Sequence, residues 1–203
     1  QIKTPLAAIT VKLELMEEIC EEKSIKKLTG ECISNTFRIR DFIKRLLDIS
    51  RLEEKKVIMA DDKTEIGLVI EQSIEKVSGD TDRIQVNNEC TDNVLYADES
   101  WLIESFINII SNCLESVKAK ADGHVYIHIV NNDSQFIITI SDNGRGISID
   151  EFNTIFDRFV TNGSGDRFNT GIGLNLSKLI IEAHHGTIKA GNSTRYGGAE
   201  FKI

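Results

Sequence analysis

The 203-residue sequence lacks several features that would each point to a specific class of protein. No apolar run approaches the roughly 18 residues that a membrane span requires, and no signal-peptide pattern opens the chain. Positive charge is in deficit, with 24 Lys+Arg against 32 Asp+Glu and a net charge of −8. That argues against a nucleic-acid binder, which carries a basic stripe. The four cysteines, Cys20, Cys32, Cys90 and Cys113, show neither CxxC spacing nor histidine pairing. They read as reduced, packed thiols in a cytosolic setting rather than as a zinc site. What is present, 40% apolar and 28% charged residues, fits an ordinary globular protein and excludes a disordered chain. The length allows one domain or two small ones. The first residue is Gln1, not Met, so a piece of a longer protein is expected.

Composition shifts near residue 60. Residues 1–59 hold one glycine, the only proline and no aromatic besides Phe37 and Phe42. Ile2, Leu6, Ile9, Leu13, Met16 and Cys20 step alternately by four and three, the seam of a coiled-coil-like helix. The polar stretch Glu21–Gly30 predicts a break, with Gly30 as a turn residue. A second helix then carries Ile39, Phe42, Ile43, Leu46, Leu47 and Ile49, a stripe wide enough to face more than one neighbour. Two helices of about 20 residues cannot enclose a core alone. The expectation is a helical hairpin that pairs with its copy through residues 1–55, giving a four-helix homodimer.

Residues 60–203 show helical patterns over 65–78, 99–120, 150–158 and 172–185. Between and after them lie β-rich runs at Arg83–Asn88, Val94–Ala97, His124–Val130, Gln135–Ser141, Gly186–Ala190 and Ala199–Ile203. Antiparallel strand pairs with helices between them predict a mixed sheet covered on one face by helices, and an α+β chain overall. Three constellations in this half carry chemistry. Asp142-Asn143-Gly144-Arg145-Gly146 follows a strand; a carboxylate there can accept from a base amino group while bare backbone lets a ligand approach. Asn108 and Asn112, four apart on a helix, share a face, and carboxamide oxygens suit Mg²⁺. Asn169-Thr170-Gly171-Ile172-Gly173-Leu174 opens a helix, whose N-terminal N–H groups suit phosphate. The glycine-rich Phe159–Phe168 before it reads as a lid or as a plain surface loop.

In this order and spacing the motifs resemble the ATP-binding domain of sensor histidine kinases, the fold shared with gyrase, Hsp90 and MutL. Asn108-Ile109-Ile110-Ser111-Asn112 is similar to the N box and Ser141–Gly146 to the first glycine box. Ile155-Phe156-Asp157-Arg158-Phe159 is similar to the F box and Asn169–Leu174 to the second glycine box. Lys3-Thr4-Pro5-Leu6 resembles the family's H box without its leading histidine, and Leu47–Glu53 the end of the second dimerization helix. The resemblance implies a dimerization and phosphotransfer hairpin over 1–59, its acceptor histidine just upstream of Gln1, and an α/β sandwich ATP-binding domain over 60–203. It implies autophosphorylation on histidine from ATP with Mg²⁺, then transfer to an aspartate of a response-regulator receiver domain, and possible dephosphorylation of that regulator. It places Gln1, Thr4 and Asn108 in the catalytic neighbourhood and Asn112 on Mg²⁺. Asn108, Asn112, Glu115, Ser116, Asp142, Gly144, Gly146, Ile147, Phe156, Arg158, Thr170, Gly171, Gly173 and Leu174 are its implied nucleotide-binding residues.

The sequence departs from the family pattern at four places. Gln1 stands at the acidic H-box position, Glu115 where many members carry Lys, Thr161 where many carry Arg, and Asn169 at the first glycine of the second box. Arg158, Arg167 and Lys178 all stand open as the source of positive charge on the γ-phosphate. The alternative reading is a degenerate, dimeric nucleotide-binding signalling module with little kinase activity. A cytoplasmic fragment is expected, with no nucleic-acid partner and no membrane contact of its own, from a membrane-anchored parent. His124, His128, His184 and His185 lack an H-box context; His184 and His185 sit at a helix end, where capping roles are common.

Overall fold

The structure, a computed structural model, describes residues 3–19, 23–55, 59–91, 93–132, 135–160 and 170–203. The chain divides into two compact units, Gln1–Ser50 and Arg51–Ile203. The first holds α1 (Lys3–Ile19) and most of α2 (Lys23–Glu53). The expected break at Glu21–Gly30 does not extend to Gly30, which lies inside α2. A mid-helix glycine costs about 1 kcal/mol against alanine, which a 31-residue helix absorbs. Along α2 the hydroxyls of Thr29 and Thr36 return hydrogen bonds to the carbonyls of Ile25 and Cys32.

The second unit is α+β. Its elements run β1 (Asp62–Glu65), α3 (Ile66–Lys76), β2 (Ile84–Asn88), β3 (Val94–Ala97), α4 (Glu99–Val117), β4 (Val125–Asn131), β5 (Phe136–Asp142), α5 (Gly173–Ala183), β6 (Lys189–Asn192) and β7 (Ala199–Lys202). A five-stranded sheet has the order β2-β4-β5-β7-β6, with β2 and β4 parallel and the other neighbours antiparallel. A separate two-stranded sheet pairs β1 with β3. On β4 the alternation is clean: Val125, Ile127 and Ile129 are buried while Tyr126 and His128 lie on the opposite face. The buried face meets α4, which packs on β4 and β5 with α3 and α5 beside it. On the open face Tyr126 stacks on Tyr196, with ring centroids 3.7 Å apart.

Two further sequence expectations need correction, and one strand was not foreseen. The run 150–158 is not a helix but a 3₁₀ turn at Ile149–Glu151 followed by turns. Asn153, Thr154 and Asp157 compete with helical hydrogen bonding, and Phe159 closes the run with φ +66°. The strand expected at Gly186–Ala190 pairs at Lys189–Asn192 instead. After α5 the chain turns through His185 (φ +62°), and Gly186 N–H donates to the Ile181 carbonyl, so the ladder begins later. β1, with its polar sequence DKTE, has no alternation to announce it and exists by pairing with β3.

Candidate functional site

The end of β5 carries Asp142, whose side chain is fully buried. Its Oδ1 accepts from Gly144 N–H at 2.7 Å, Ala199 N–H at 3.2 Å and the Ser116 hydroxyl at 3.3 Å. Its Oδ2 is buried and has no partner. Burial pushes the carboxyl above the ordinary range, and the hydrogen bonds from Gly144, Ala199, Cys113 and Ser116 oppose that rise. Two glycines make room for the carboxylate. A Cβ on Gly144 would sit 2.0 Å from Ser116 Oγ, and one on Gly198 would sit 2.2 Å from Asp142 Oδ1. The loop after Asp142 is held from β6: Ile147 N–H donates to Asn192 Oδ1 at 2.7 Å, and Asn192 Nδ2 donates to the Ile147 carbonyl at 2.8 Å.

A pocket of about 200 Å³ opens in front of this carboxylate. Of the residues anticipated from sequence, Asn112, Glu115, Ser116, Asp142, Gly146, Ile147 and Leu174 line it. Arg145, Ile155, Ala199 and Phe201 complete the wall and were not anticipated. Gly144 lies against Asp142 and Ser116, supporting the wall from behind. Asn108 is buried with its Nδ2 unpartnered, and does not line the pocket. Its carbonyl accepts from Asn112 Nδ2 at 2.8 Å, so Asn112 has its carboxamide oxygen left for a ligand. Glu115 pairs with Lys118 at 3.2 Å.

The other anticipated residues are placed as follows. Phe156 is buried edge-on to Phe201 at 6.5 Å. Arg158 forms an ion pair with Glu53 within the second unit. Lys178 sits 5.9 Å from the Phe156 ring and 3.9 Å from Glu182. Thr170 is exposed, Gly171 accepts from Phe159 N–H at 2.8 Å, and Gly173 opens α5. Ser177 ties α5 to α4 by donating to the Ser105 carbonyl at 3.0 Å. Thr4 lies in the first turn of α1, its side chain outside the described residues; Gln1, Thr161, Arg167 and Asn169 also lie outside them. Among the described residues no cluster of three or more His, Cys, Asp or Glu side chains could hold a metal. The described helices include none long and apolar enough to cross a membrane.

The family described as histidine kinase-, DNA gyrase B-, and HSP90-like ATPase matches residues 97–203, from the end of β3 through β7. The chain belongs to this ATPase family. Curated relatives of this member are sensor proteins: RprX of Bacteroides fragilis is 27% identical, with 97% of this chain matching 40% of that one. The heme sensor protein HssS of Staphylococcus saprophyticus is 27% identical, with 100% of this chain matching 44%. KdpD of Clostridium acetobutylicum is 28% identical over 100% of this chain and 23% of its own. The chain therefore spans less than half the length of these relatives. Among solved structures, full-length ShkA in complex with AMPPNP superposes with TM-score 0.82 at 20% identity, over 99% of this chain and 42% of that one. The histidine kinase AdeS of Acinetobacter baumannii does so with TM-score 0.66 at 19% identity, over 100% and 95%. For this ATPase domain the residues missing from the sequence reading are mostly those of the β6–β7 hairpin: Asn192, Gly198, Ala199 and Phe201. The paired Gly197-Gly198 was the one signal available for them.

Proposed function

We propose that the chain is the catalytic core of a sensor histidine kinase, taking the γ-phosphoryl of ATP onto a histidine and passing it to an aspartate of a response regulator. The observation that carries the reading is the buried Asp142 carboxylate in the pocket lining, with its Oδ2 unpartnered. A buried acceptor without a donor is costly, and the 6-amino group of adenine supplies that donor. Ile147, Ile155, Leu174 and Phe201 offer apolar walls to the ring. The N-terminus of α5 lies on the phosphate side, where Gly171–Leu174 present backbone N–H groups.

Mg²⁺ fits the residues present, because Asn112 has its amide nitrogen engaged by the Asn108 carbonyl and its oxygen left for a cation. One protein oxygen plus phosphate oxygens and water suits this ion, and the bound ion would neutralise triphosphate charge. The chain's own part is positioning. In the transfer the bond from the γ-phosphorus to the β,γ-bridging oxygen breaks and an N–P bond forms at the histidine, which gives up its ring proton as ADP leaves. In the second step the N–P bond breaks and an aspartyl O–P bond forms. By the register of Lys3-Thr4-Pro5-Leu6 the acceptor directly precedes Gln1, and Thr4 orients water for dephosphorylation of the regulator. Exposed Ile9, Val11, Leu15, Met16, Leu28, Ile39 and Leu47 support dimerization through residues 1–55.

The test is incubation of the chain, extended by a histidine before Gln1, with radiolabelled Mg-ATP. Acid-labile, base-stable label on that histidine is expected, and none on the chain lacking it. ATP binding without label would favour the degenerate module, which Glu115 in the pocket also favours.

A further inference from the structure

The pocket wall has the wrong sign for a phosphorylated ligand. Among the described residues that line it, Glu115 and Asp142 are acids and Arg145 is the one base. Asp142 stands at the base end, where its charge meets an amino group; Glu115 has no such counterpart in a nucleotide. Its place follows from the packing of α4 on α5. Asp98 N–H, just ahead of α4, donates to His184 at the end of α5, and the Ser177 hydroxyl donates to the Ser105 carbonyl. The two contacts are seven residues apart on both chain segments, so the helices run antiparallel. A further seven bring Asn112 level with Thr170, just ahead of the α5 N-terminus. Ser116, next after Glu115, donates to Asp142. Glu115 therefore lies between the phosphate end and the base end, one turn from Asn112, with Cβ atoms about 5–6 Å apart. Lys118 contacts both Glu115 oxygens, at 3.2 and 3.3 Å, but it does not line the pocket and its side chain is 69% exposed. Surface pairs of this kind are weak and screened, so the carboxylate still acts on the pocket.

Resting on the reading of the pocket as a nucleotide site, we infer that Glu115 is a specificity-determining residue that makes the pocket select the cation-complexed nucleotide over the bare one. A bare diphosphate brings its negative charge past the carboxylate and is repelled. The same diphosphate complexed with Mg²⁺ at the Asn112 oxygen presents positive charge one turn from Glu115, and repulsion gives way to attraction. A lysine at this position would do the reverse and favour the bare polyphosphate.

The experiment is calorimetric titration of ADP, and of adenosine as a ligand without phosphate, into the chain and its Glu115→Gln and Lys118→Ala variants. Each titration is run at fixed ionic strength, once with Mg²⁺ and once with the ion chelated. In the wild-type chain Mg²⁺ is expected to tighten ADP by more than about tenfold, the scale of a unit charge acting over 5–6 Å near a surface, and not to tighten adenosine. In Glu115→Gln that enhancement shrinks by about tenfold, as bare ADP gains and the complexed form loses. Lys118→Ala, which unmasks the carboxylate, raises it by about two- to threefold. Opposite signs from two neighbouring surface substitutions follow from charge and not from damage to the fold. An enhancement that Glu115→Gln leaves as in the wild-type chain, or that fails to rise in Lys118→Ala, would overturn the inference while the nucleotide reading stands. So would a wild-type chain that binds ADP alike with and without the ion. A wild-type chain that binds neither ADP nor adenosine would overturn both.

Discussion

The two units treat their large aliphatic side chains in opposite ways. In Gln1–Ser50, Ile9, Val11, Leu15, Met16, Leu28, Ile39 and Leu47 are each between 45% and 61% exposed. In Arg51–Ile203, Val69, Ile70, Ile109, Ile110, Ile129, Ile140, Leu176 and Ile180 are fully buried in a core between sheet and helices. The second unit closes its own core within one chain. The first offers its apolar stripe outward, as a surface for assembly does. On the proposed reading, nucleotide binding belongs to the second unit and association to the first.

The strongest way to break this contrast is truncation of matched apolar side chains. Phe106→Ala in the second unit should cost about 3–5 kcal/mol, read from urea unfolding and independent of protein concentration. Met16→Ala in the first should alter only a concentration-dependent step. An equal, concentration-independent loss at Met16 would erase the distinction. Asp142→Asn comes next. It should weaken ADP binding by about 1.5–3 kcal/mol, roughly ten- to a hundredfold, through the lost charge-assisted hydrogen bond. Ile9→Asp should leave that affinity unchanged while shifting sedimentation toward the monomer.

A smaller effect sharpens the local picture. Asp98 caps α4 by accepting from Trp101 N–H at 3.2 Å, and Asp98→Ala should cost about 1 kcal/mol, seen as a lower melting temperature of the second unit. The smallest effect is a slope with pH. Burial raises the folded-state pKa of Asp142, so between the ordinary carboxylate value and that raised value the folded state holds more protons than the unfolded. Stability of the nucleotide-free protein should therefore fall as pH rises through that window. Asp142→Asn should flatten this component in paired denaturation curves, and an unchanged slope would show the carboxyl is not the cause.

What could be read from sequence was local. Asp142, Gly144 and Gly146 sit within one turn after a strand, and Asn112, Glu115 and Ser116 sit on one helix, so short-range spacing carries them. Ala199 reaches Asp142 across 57 positions, and Asn192 holds Ile147 across 45. Those meetings depend on β7 lying beside β5 and β6 beyond it, an order that periodicity does not contain. Asn108 illustrates the converse. Its four-residue spacing from Asn112 is real, but the helix turns its side chain into the interior, and its main-chain carbonyl engages Asn112. His184 was legible as an end-of-helix residue. Its actual partners are the Ile180 carbonyl, 2.8 Å from Nδ1, and Asp98 N–H, which donates to Nε2 at 3.1 Å across 86 positions.

The late arrival of β7 has a consequence for biosynthesis. A nascent chain that has emerged only as far as β6 already has the Asp142 carboxylate and the α4 face, but β6 has no strand to pair with until β7 follows, so the Asn192 clamp is not yet set. It still lacks the Ala199 N–H and the Phe201 wall. Nucleotide stabilises only a state that binds it, so cellular ATP has little hold on the half-made domain. Its hold begins when Ala199–Phe201 leaves the ribosome and completes the pocket.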